Sequence, residues 1–161
     1  MLIGQGIDAH RFAPGRPLVL GGVRIEHEQG LAAHSDGDVV IHALCDALLG
    51  AAGQGDIGRR FPDTDAQYAG IDSRILLRSV LDGIAERGLA VRNADLTVVA
   101  QRPKIKPYVP EMTRILAGDL RCPPGRVNVK ATTTEQMGFT GRGEGIAAFA
   151  VVLLAESQDP V

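Results

Sequence analysis

A chain of 161 residues with 45% hydrophobic but only 4% aromatic residues is long enough for one domain whose core rests on aliphatic side chains. Its formal net charge of -2 excludes the basic signature of a nucleic-acid-binding protein. The two cysteines form no C-x-x-C pair, which favours reduced thiols, and the sequence has neither a recognisable signal peptide nor a bilayer-spanning apolar run. We therefore expect a single cytoplasmic domain over residues 1–161.

Hydrophobic periodicity and turn residues divide the chain into strands, helices and one long loop. The predicted elements, in chain order, are a strand at 2–10, a hairpin at 18–25, a helix at 36–55, a loop at 53–72, a helix at 72–88, a strand at 94–101, a helix within 106–120, a strand at 126–133 and a buried strand at 145–156. This order predicts an α+β two-layer sandwich, with a mixed sheet and helices on one face. The near-continuous apolar runs predict that another subunit covers the other face.

An acid and an imidazole share one face of the first strand, because side chains alternate between faces and Asp8 and His10 are two residues apart. The following helix is apolar except for the stripe Asp38, His42 and Asp46. Two imidazoles and one carboxylate form a common set of catalytic zinc ligands, so Asp8, His10 and His42 are candidates for one metal site. A hydrogen-bonded core cluster explains the same residues without a metal, and both interpretations stay open.

Other segments carry groups suited to phosphate. His34 and Ser35 precede the helix, where backbone N–H groups can hold an anion, although a helix cap made by Ser35 or the next residue explains them equally. The stretch VNVKATTTEQMGFTGRGEGI combines hydroxyls, glycines and Glu135, which suit phosphate and Mg²⁺, although a flexible turn needs no ligand. Lys104 and Lys106 lie among prolines and face either phosphate or solvent. No Walker loop, G-x-S-x-G or H-E-x-x-H motif is present, so no protein nucleophile is indicated.

Several long motifs occur together and in order: GIDAHRF, LGGVRI, GLAAHSDGDVVIHALCDALLGAA, GDIGRRFPDTD, AQRPKIKPY and VNVKATTTEQMGFTGRGEGIA. In these motifs the chain resembles the 2-C-methyl-D-erythritol 2,4-cyclodiphosphate synthases of the non-mevalonate isoprenoid pathway. The resemblance implies a homotrimer with active sites between neighbouring subunits. It also implies that 4-diphosphocytidyl-2-C-methyl-D-erythritol 2-phosphate cyclises by attack of its own 2-phosphate on the β-phosphorus, with release of CMP.

The resemblance also implies roles for individual residues. Asp8, His10 and His42 look like ligands of a zinc ion whose fourth position takes a substrate phosphate. Glu135 looks like a ligand of a Mg²⁺ or Mn²⁺ ion that bridges the diphosphate. The residues that look like stabilisers of the transition state are His34 and Thr133. Apart from the resemblance, Asp46 is a candidate to orient His42, because it lies one turn further along the same helix face.

The implied substrate-binding residues extend over most of the chain. They are Asp8, His10, His34, Ser35, Asp56, Ile57, Gly58, Phe61, Pro62, Asp63, Thr64, Asp65, Ala100, Gln101, Arg102, Pro103, Lys104, Ile105, Lys106, Ala131, Thr132, Thr133, Thr134, Glu135, Phe139 and Arg142. The loop 61–65 is expected to close over the erythritol, and the segment 100–106 to frame the cytosine. Phe139 and Arg142 resemble residues of the trimer's central cavity, where isoprenoid diphosphates are found in the family.

Two other classes of function remain open at this point. One is a metal-dependent phosphohydrolase that uses zinc-bound water, with Glu135 as the base. The other is a non-catalytic trimeric module that binds a nucleotide or an isoprenoid diphosphate.

Overall fold

The computed structural model describes residues 1–157. Within that range the helices and strands are β1 (Leu2–Ala13), β2 (Leu18–Leu20), β3 (Val23–Ile25), β4 (Gly30–Leu31), α1 (Val39–Ala51), α2 (Ile57–Arg60), α3 (Ser73–Ala85), β5 (Leu89–Val99), α4 (Val109–Asp119), β6 (Val127–Thr132), α5 (Gly138–Gly141) and β7 (Gly145–Glu156).

Five strands form one mixed sheet in the order β4-β1-β7-β5-β6, and β2 pairs with β3 in a separate ribbon. Only the β5–β6 pair is parallel among the neighbours in this sheet over residues 1–157. The carboxyl ends of β1, β5 and β6 therefore lie at the same edge. Helix α1 packs on β1 and β7, and α4 packs on β6. The predicted α+β fold with a mixed sheet is confirmed.

The core lies between the sheet and the helices and consists of aliphatic side chains. Along β7 the residues on the helix side are all buried: Ile146, Ala148, Ala150, Val152 and Leu154. Ala147 and Ala155, on the other side of the strand, are buried as well. Helix α1 is buried almost all round, because the sheet lies on one side and α3 on another. Helix α3 has one apolar face, and its five residues are all buried: Leu76, Leu77, Val80, Leu81 and Ile84.

Two glycines let α1 lie against the backbone of β1. A Cβ atom on Gly4 would lie 2.0 Å from the carbonyl oxygen of Ala47, and one on Gly6 would lie 2.0 Å from that of Ala43. No other residue type leaves room for this approach. His42 adjoins Ala43 in the helix, so the same contact brings its ring next to the strand.

The start of α1 corrects the predicted cap. Asp38 is the N-cap, and its carboxylate accepts hydrogen bonds from the N–H groups of Val40 and Ile41 at 3.1 Å each. The same carboxylate accepts from Gly21 at 2.9 Å and Gly22 at 2.7 Å, which joins the β2–β3 turn to the helix. The predicted caps at residues 35 and 36 are therefore wrong, and Asp38 belongs to the fold rather than to a site.

One strand boundary and four short elements also differ from the predictions. The loop 53–72 contains α2 and a 3-10 turn at Ala66–Tyr68, each started by an aspartate cap that supplies a local hydrogen bond. Strand β5 begins at Leu89 rather than at residue 94, because an irregularity in its pairing with β7 interrupts the alternation near Asn93. The two-residue β4 and the one-turn α5 were not predicted, since neither is long enough to produce a periodic pattern.

The sheet face opposite the helices carries exposed apolar side chains on β1 and β7. Ile3 is 74% exposed, Ile7 is 53% exposed, and Phe149 and Val151 are each 40% exposed. The prediction that another subunit covers this face remains a prediction. None of the helices formed by residues 1–157 is long and apolar enough to cross a membrane.

We predict that Gly6→Ala lowers the free energy of unfolding by about 1–3 kcal/mol, because the added methyl group forces α1 away from β1. Urea denaturation of the metal-free protein measures the change. Gly118→Ala is the matched control, because nothing lies within 4 Å of the added Cβ at that helical position. Equal stability of Gly6→Ala and wild type would contradict the role assigned to the contact.

Candidate metal and phosphate site

The side chains of Asp8, His10 and His42 converge where α1 crosses β1. Asp8 Oδ2 lies 2.8 Å from His10 Nε2 and 3.1 Å from His42 Nδ1, and the two nitrogens are 3.1 Å apart. Their ligand atoms all lie within 4.8 Å of one another. Among residues 1–157, this is the one group of His, Cys, Asp or Glu side chains that is placed to hold a metal ion. The structure thus brings together the three residues that the sequence pattern selected.

The donor set fits a divalent metal ion. Neighbouring donors in a tetrahedral zinc site lie about 3.3–3.5 Å apart, so small side-chain movements would bring these three to ligand distance. Two imidazoles and one carboxylate suit zinc in particular. The side chains of Asp8, His10 and His42 are 25%, 20% and 11% exposed, so one side of the group stays open to a ligand.

The electrostatics of the group favour a cation. Burial raises the pKa of Asp8, but the hydrogen bonds of His10 and His42 outweigh burial and hold that pKa well below its usual range. Burial lowers the pKa of His42, but the Asp8 carboxylate beside it raises the pKa above its ordinary value. Asp8 is therefore an anion at neutral pH and attracts positive charge to the two rings.

The far side of the His42 ring is held by two hydroxyl groups. Nε2 of His42 lies 3.1 Å from Ser35 Oγ and 3.0 Å from Ser73 Oγ. The suggestion that Asp46 orients His42 is wrong, because Asp46 Oδ1 instead accepts from the N–H of Ile57 at 2.7 Å. Of the stripe on α1, only His42 reaches the group.

Sequence reasoning missed three residues that support this site. Ser73 lies 31 positions from His42 in the chain, and no local pattern relates them. Asp36 was interpreted only as a cap, whereas its carboxylate accepts from Ser73. Arg16 donates to the carbonyl oxygens of Ala33, at 2.6 Å, and of Ser35, and so fixes the segment that carries the next site residue.

A cavity of about 270 Å³ opens over the two histidine rings. Its lining residues are His10, Ala33, His34, Ser35, His42, Ile57, Gly58, Phe61, Asp63, Tyr68 and Leu76. His34 Nε2 donates to the carbonyl oxygen of Asp65 at 3.1 Å, which links it to the loop 61–65. The rings of Phe61 and Tyr68 pack edge to face, with centroids 5.4 Å apart, so part of this loop forms a wall of the cavity.

A second cavity of about 800 Å³ lies at the carboxyl ends of β5 and β6. Its lining residues are Ala100, Gln101, Pro103, Lys104, Ile105, Lys106, Pro107, Pro110, Ala131, Thr132, Thr133 and Glu135. Thr133 Oγ1 donates to Glu135 Oε1 at 2.8 Å. Glu135 and Gln136 both have positive φ, 50° and 66°, and the N–H of Gln136 donates to Gln101 Oε1 at 3.2 Å. Carboxylate, hydroxyl and ammonium groups thus share one opening.

Most of the predicted site residues therefore line one of two cavities, and these cavities share no lining residue within one chain. Asp8 is level with Ala131 across the sheet, through Ala148 and Val98, and three strand spacings of about 14 Å in total separate them. His34 and Thr133, which were expected to act on one transition state, lie in different cavities.

Outside the metal-ligand group, eight residues of the predicted set line neither cavity. They are Asp56, Pro62, Thr64, Asp65, Arg102, Thr134, Phe139 and Arg142. Asp56 and Asp65 cap short turns of the loop beside the first cavity. Arg142 forms an ion pair with Glu144, with 2.6 Å between Nε and Oε1. Phe139 is 43% exposed.

Comparisons with known proteins agree on one family. The chain is 62% identical over 154 residues to the 2-C-methyl-D-erythritol 2,4-cyclodiphosphate synthase of Alkalilimnicola ehrlichii, covering 95% of this chain and 94% of the relative. It is 65% identical over 153 residues to the enzyme of the same name from Methylococcus capsulatus, covering 95% and 97%. A solved structure of such a synthase with CDP bound superposes with a TM-score of 0.87 at 40% identity, covering 95% of this chain and 99% of that chain.

The match to a family model is equally extensive. The model of the YgbB family covers residues 1–155, which includes both cavities and every element described above except the last residue of β7. The chain belongs to the YgbB family.

Proposed function

We propose that this chain is a 2-C-methyl-D-erythritol 2,4-cyclodiphosphate synthase of isoprenoid biosynthesis. The observation that carries the proposal is the convergence of Asp8, His10 and His42 at the opening of a cavity, in a chain over 60% identical to synthases of that name. The substrate is a small molecule linked to cytidine diphosphate, 4-diphosphocytidyl-2-C-methyl-D-erythritol 2-phosphate. An oxygen of its 2-phosphate attacks the β-phosphorus, the bond from that phosphorus to the oxygen shared with the α-phosphate breaks, and CMP leaves.

The residues that hold cations form two groups. Asp8, His10 and His42 would hold Zn²⁺, and Glu135 would hold Mg²⁺ or Mn²⁺ on the diphosphate. Bound cations of this kind neutralise phosphate charge and align the attacking and leaving oxygens. Carboxylate oxygen without imidazole suits the harder ion, which is why the second group is assigned to magnesium or manganese.

The remaining residues bind and orient the substrate. His34, through its hydrogen bond to the carbonyl oxygen of Asp65, couples its own position to closure of the loop 61–65. A closed loop would exclude water from the erythritol end, where Asp56, Ile57 and Gly58 lie. Lys104 and the hydroxyl of Thr133 would take phosphate oxygens at the cytidine end, which the backbone of residues 100–106 frames. Donors fixed before the reaction stabilise charge in the transition state without reorganising.

A trimer would unite the two halves of the site. The erythritol end and the cytidine end of one substrate have to be bound together, yet in one chain they are separate cavities on strands about 14 Å apart. Packing of the first cavity of one subunit beside the second cavity of its neighbour removes that separation. The exposed apolar side chains on β1 and β7 provide the surface for such packing.

The same assembly would gather three copies of α5 around its axis. Phe139 offers an exposed apolar ring, and Arg142 at the end of α5 offers a cation, although Glu144 partly neutralises it. An apolar cavity with guanidinium groups at one end would suit an isoprenoid diphosphate. This ligand is part of the proposal for the trimer and does not take part in the reaction.

A hydrolase is disfavoured because Glu135, the candidate base, already accepts a hydrogen bond from Thr133 and is assigned to a cation, so no carboxylate is left to activate water. We predict that single turnover in ¹⁸O-labelled water yields CMP and a cyclic diphosphate without label, because the attacking oxygen comes from the substrate. Mass spectrometry of both products measures the incorporation. Label in either product would make the cyclisation untenable, and absence of CMP would contradict catalysis altogether.

We predict that the two cation sites respond separately to substitution. His42→Ala should lose bound zinc, because one nitrogen and one carboxylate remain, whereas His27→Ala should keep it. Glu135→Gln should keep zinc but raise the Mg²⁺ concentration for half-maximal turnover roughly tenfold, because the amide lacks the charge that a hard cation needs. Elemental analysis and Mg²⁺ titrations measure the two effects, with Glu86→Gln as an exposed control. Full zinc content in His42→Ala would refute the assignment.

We predict that light scattering at micromolar concentration gives three times the mass of one chain. Ile7→Lys should shift the mass towards the monomer, because it places a charge on the apolar sheet face. Ile75→Lys is the matched control, since Ile75 is 48% exposed on α3 and Ile7 is 53% exposed on β1. A monomeric wild-type protein would refute the trimer, and equal behaviour of the two variants would refute the sheet face as its interface.

A further inference from the structure

A chain of side chains leads from the metal-ligand group into the protein. His42 Nε2 is 3.0 Å from Ser73 Oγ, and Ser73 Oγ is 2.5 Å from Asp36 Oδ1. Asp36 Oδ2 also accepts from the backbone N–H of Ser73 at 3.0 Å. Ser73 is fully buried, so no solvent competes for its hydroxyl group.

The direction of each hydrogen bond in this chain follows from the chemistry of the groups. The Asp36 carboxylate only accepts, so the Ser73 hydroxyl donates its single hydrogen to Asp36. The oxygen of Ser73 is then left as an acceptor, and His42 Nε2 has to carry a hydrogen in order to bond to it. In a neutral imidazole, a hydrogen on Nε2 leaves Nδ1 with its lone pair, and Nδ1 is the atom that faces Asp8 and His10.

We propose that Ser73 and Asp36 are positioning residues that fix the tautomer and the orientation of the His42 ring, so that its Nδ1 is offered to a divalent metal ion. This inference rests on the proposed metal site of Asp8, His10 and His42. The inference gives the start of α3 a role in metal binding, and this role requires no contact with substrate. Groups that hydrogen-bond the far nitrogen of a ligating histidine commonly change metal affinity 10–100-fold when they are removed.

A purely structural role does not account for the Ser73 hydroxyl. The N-cap of α3 is Asp72, whose side chain accepts from the N–H of Arg74 at 2.8 Å, so capping does not require Ser73. Ser35 also reaches His42 Nε2, but its Oγ accepts from the N–H of Gly37 at 3.2 Å. Of the two serines, Ser73 is the one whose hydroxyl donates to a carboxylate. That bond fixes the orientation of the Ser73 hydroxyl and leaves the Ser73 oxygen as the acceptor for His42.

The experiment is a competition titration in which the metal-free full-length protein and a chromophoric chelator share Zn²⁺. Ser73→Ala should bind zinc 10–100-fold more weakly than wild type. Ser79→Ala should bind within about twofold of wild type, since it is the same chemical change on the same helix, away from His42. Asp36→Asn should weaken binding less than Ser73→Ala, because an amide oxygen still accepts from Ser73. Combining the two substitutions should add little to the effect of Ser73→Ala, because Asp36 acts on His42 only through the Ser73 hydroxyl.

The outcomes distinguish a failure of this inference from a failure of the proposed metal site. If wild type does not bind zinc, the metal site is wrong and this inference is wrong with it. If wild type binds zinc and folded Ser73→Ala binds equally well, only the role of Ser73 and Asp36 is overturned. If Ser73→Ala does not fold, Asp36→Asn decides, and wild-type zinc affinity in that variant overturns the inference. A kcat that stays reduced in Ser73→Ala at saturating zinc would also overturn it, since that result indicates a direct role in catalysis.

Discussion

The contact between α1 and β1 is the constraint on which the site depends. Gly4 and Gly6 remove the side chains that would otherwise separate a helix from a strand, and the carbonyl oxygens of α1 then lie where Cβ atoms would be. On the next two inward positions of the same strand, Asp8 and His10 occupy the space that opens towards His42. Small residues along the first half of the strand and ligands along the second half are thus two parts of one packing arrangement.

Around this contact, the site is assembled from segments that are distant in sequence and hold one another by hydrogen bonds. Arg16 fixes the carbonyl oxygens of the segment 33–35, and Asp36 ties that segment to the start of α3. Backbone bonds from Asp36 to Ile71 and from Gly70 to His34 close the same junction. The loop beside the cavity is therefore joined by hydrogen bonds to the segment that carries His34.

Much of this arrangement follows from sequence, and the reasons for the failures are physical. The strand at 145–156 was predicted correctly because a near-continuous apolar run is typical of a buried strand, and α3 because its apolar residues recur with the helical period of 3.6. The grouping of Asp8, His10 and His42 was foreseen because two periodic elements each present a polar residue on a buried face. Ser73 and Arg16 were missed because tertiary contacts between distant loops leave no periodic signal. The split into two cavities was equally invisible, since lateral strand order is not encoded in local pattern.

Strand β1 has one more consequence, which concerns how the gene can change. Its helix-facing side carries Gly6, Asp8 and His10, and its other side carries Ile7 and Ala9 towards the open face. An insertion or deletion of a single codon within this strand would exchange the two sides beyond that point, because side chains alternate with a period of two. Ligands would then face outward, and apolar side chains would face the helix. Evolution of this segment is therefore confined to substitution, and its length is expected to be the same in every functional descendant of the chain.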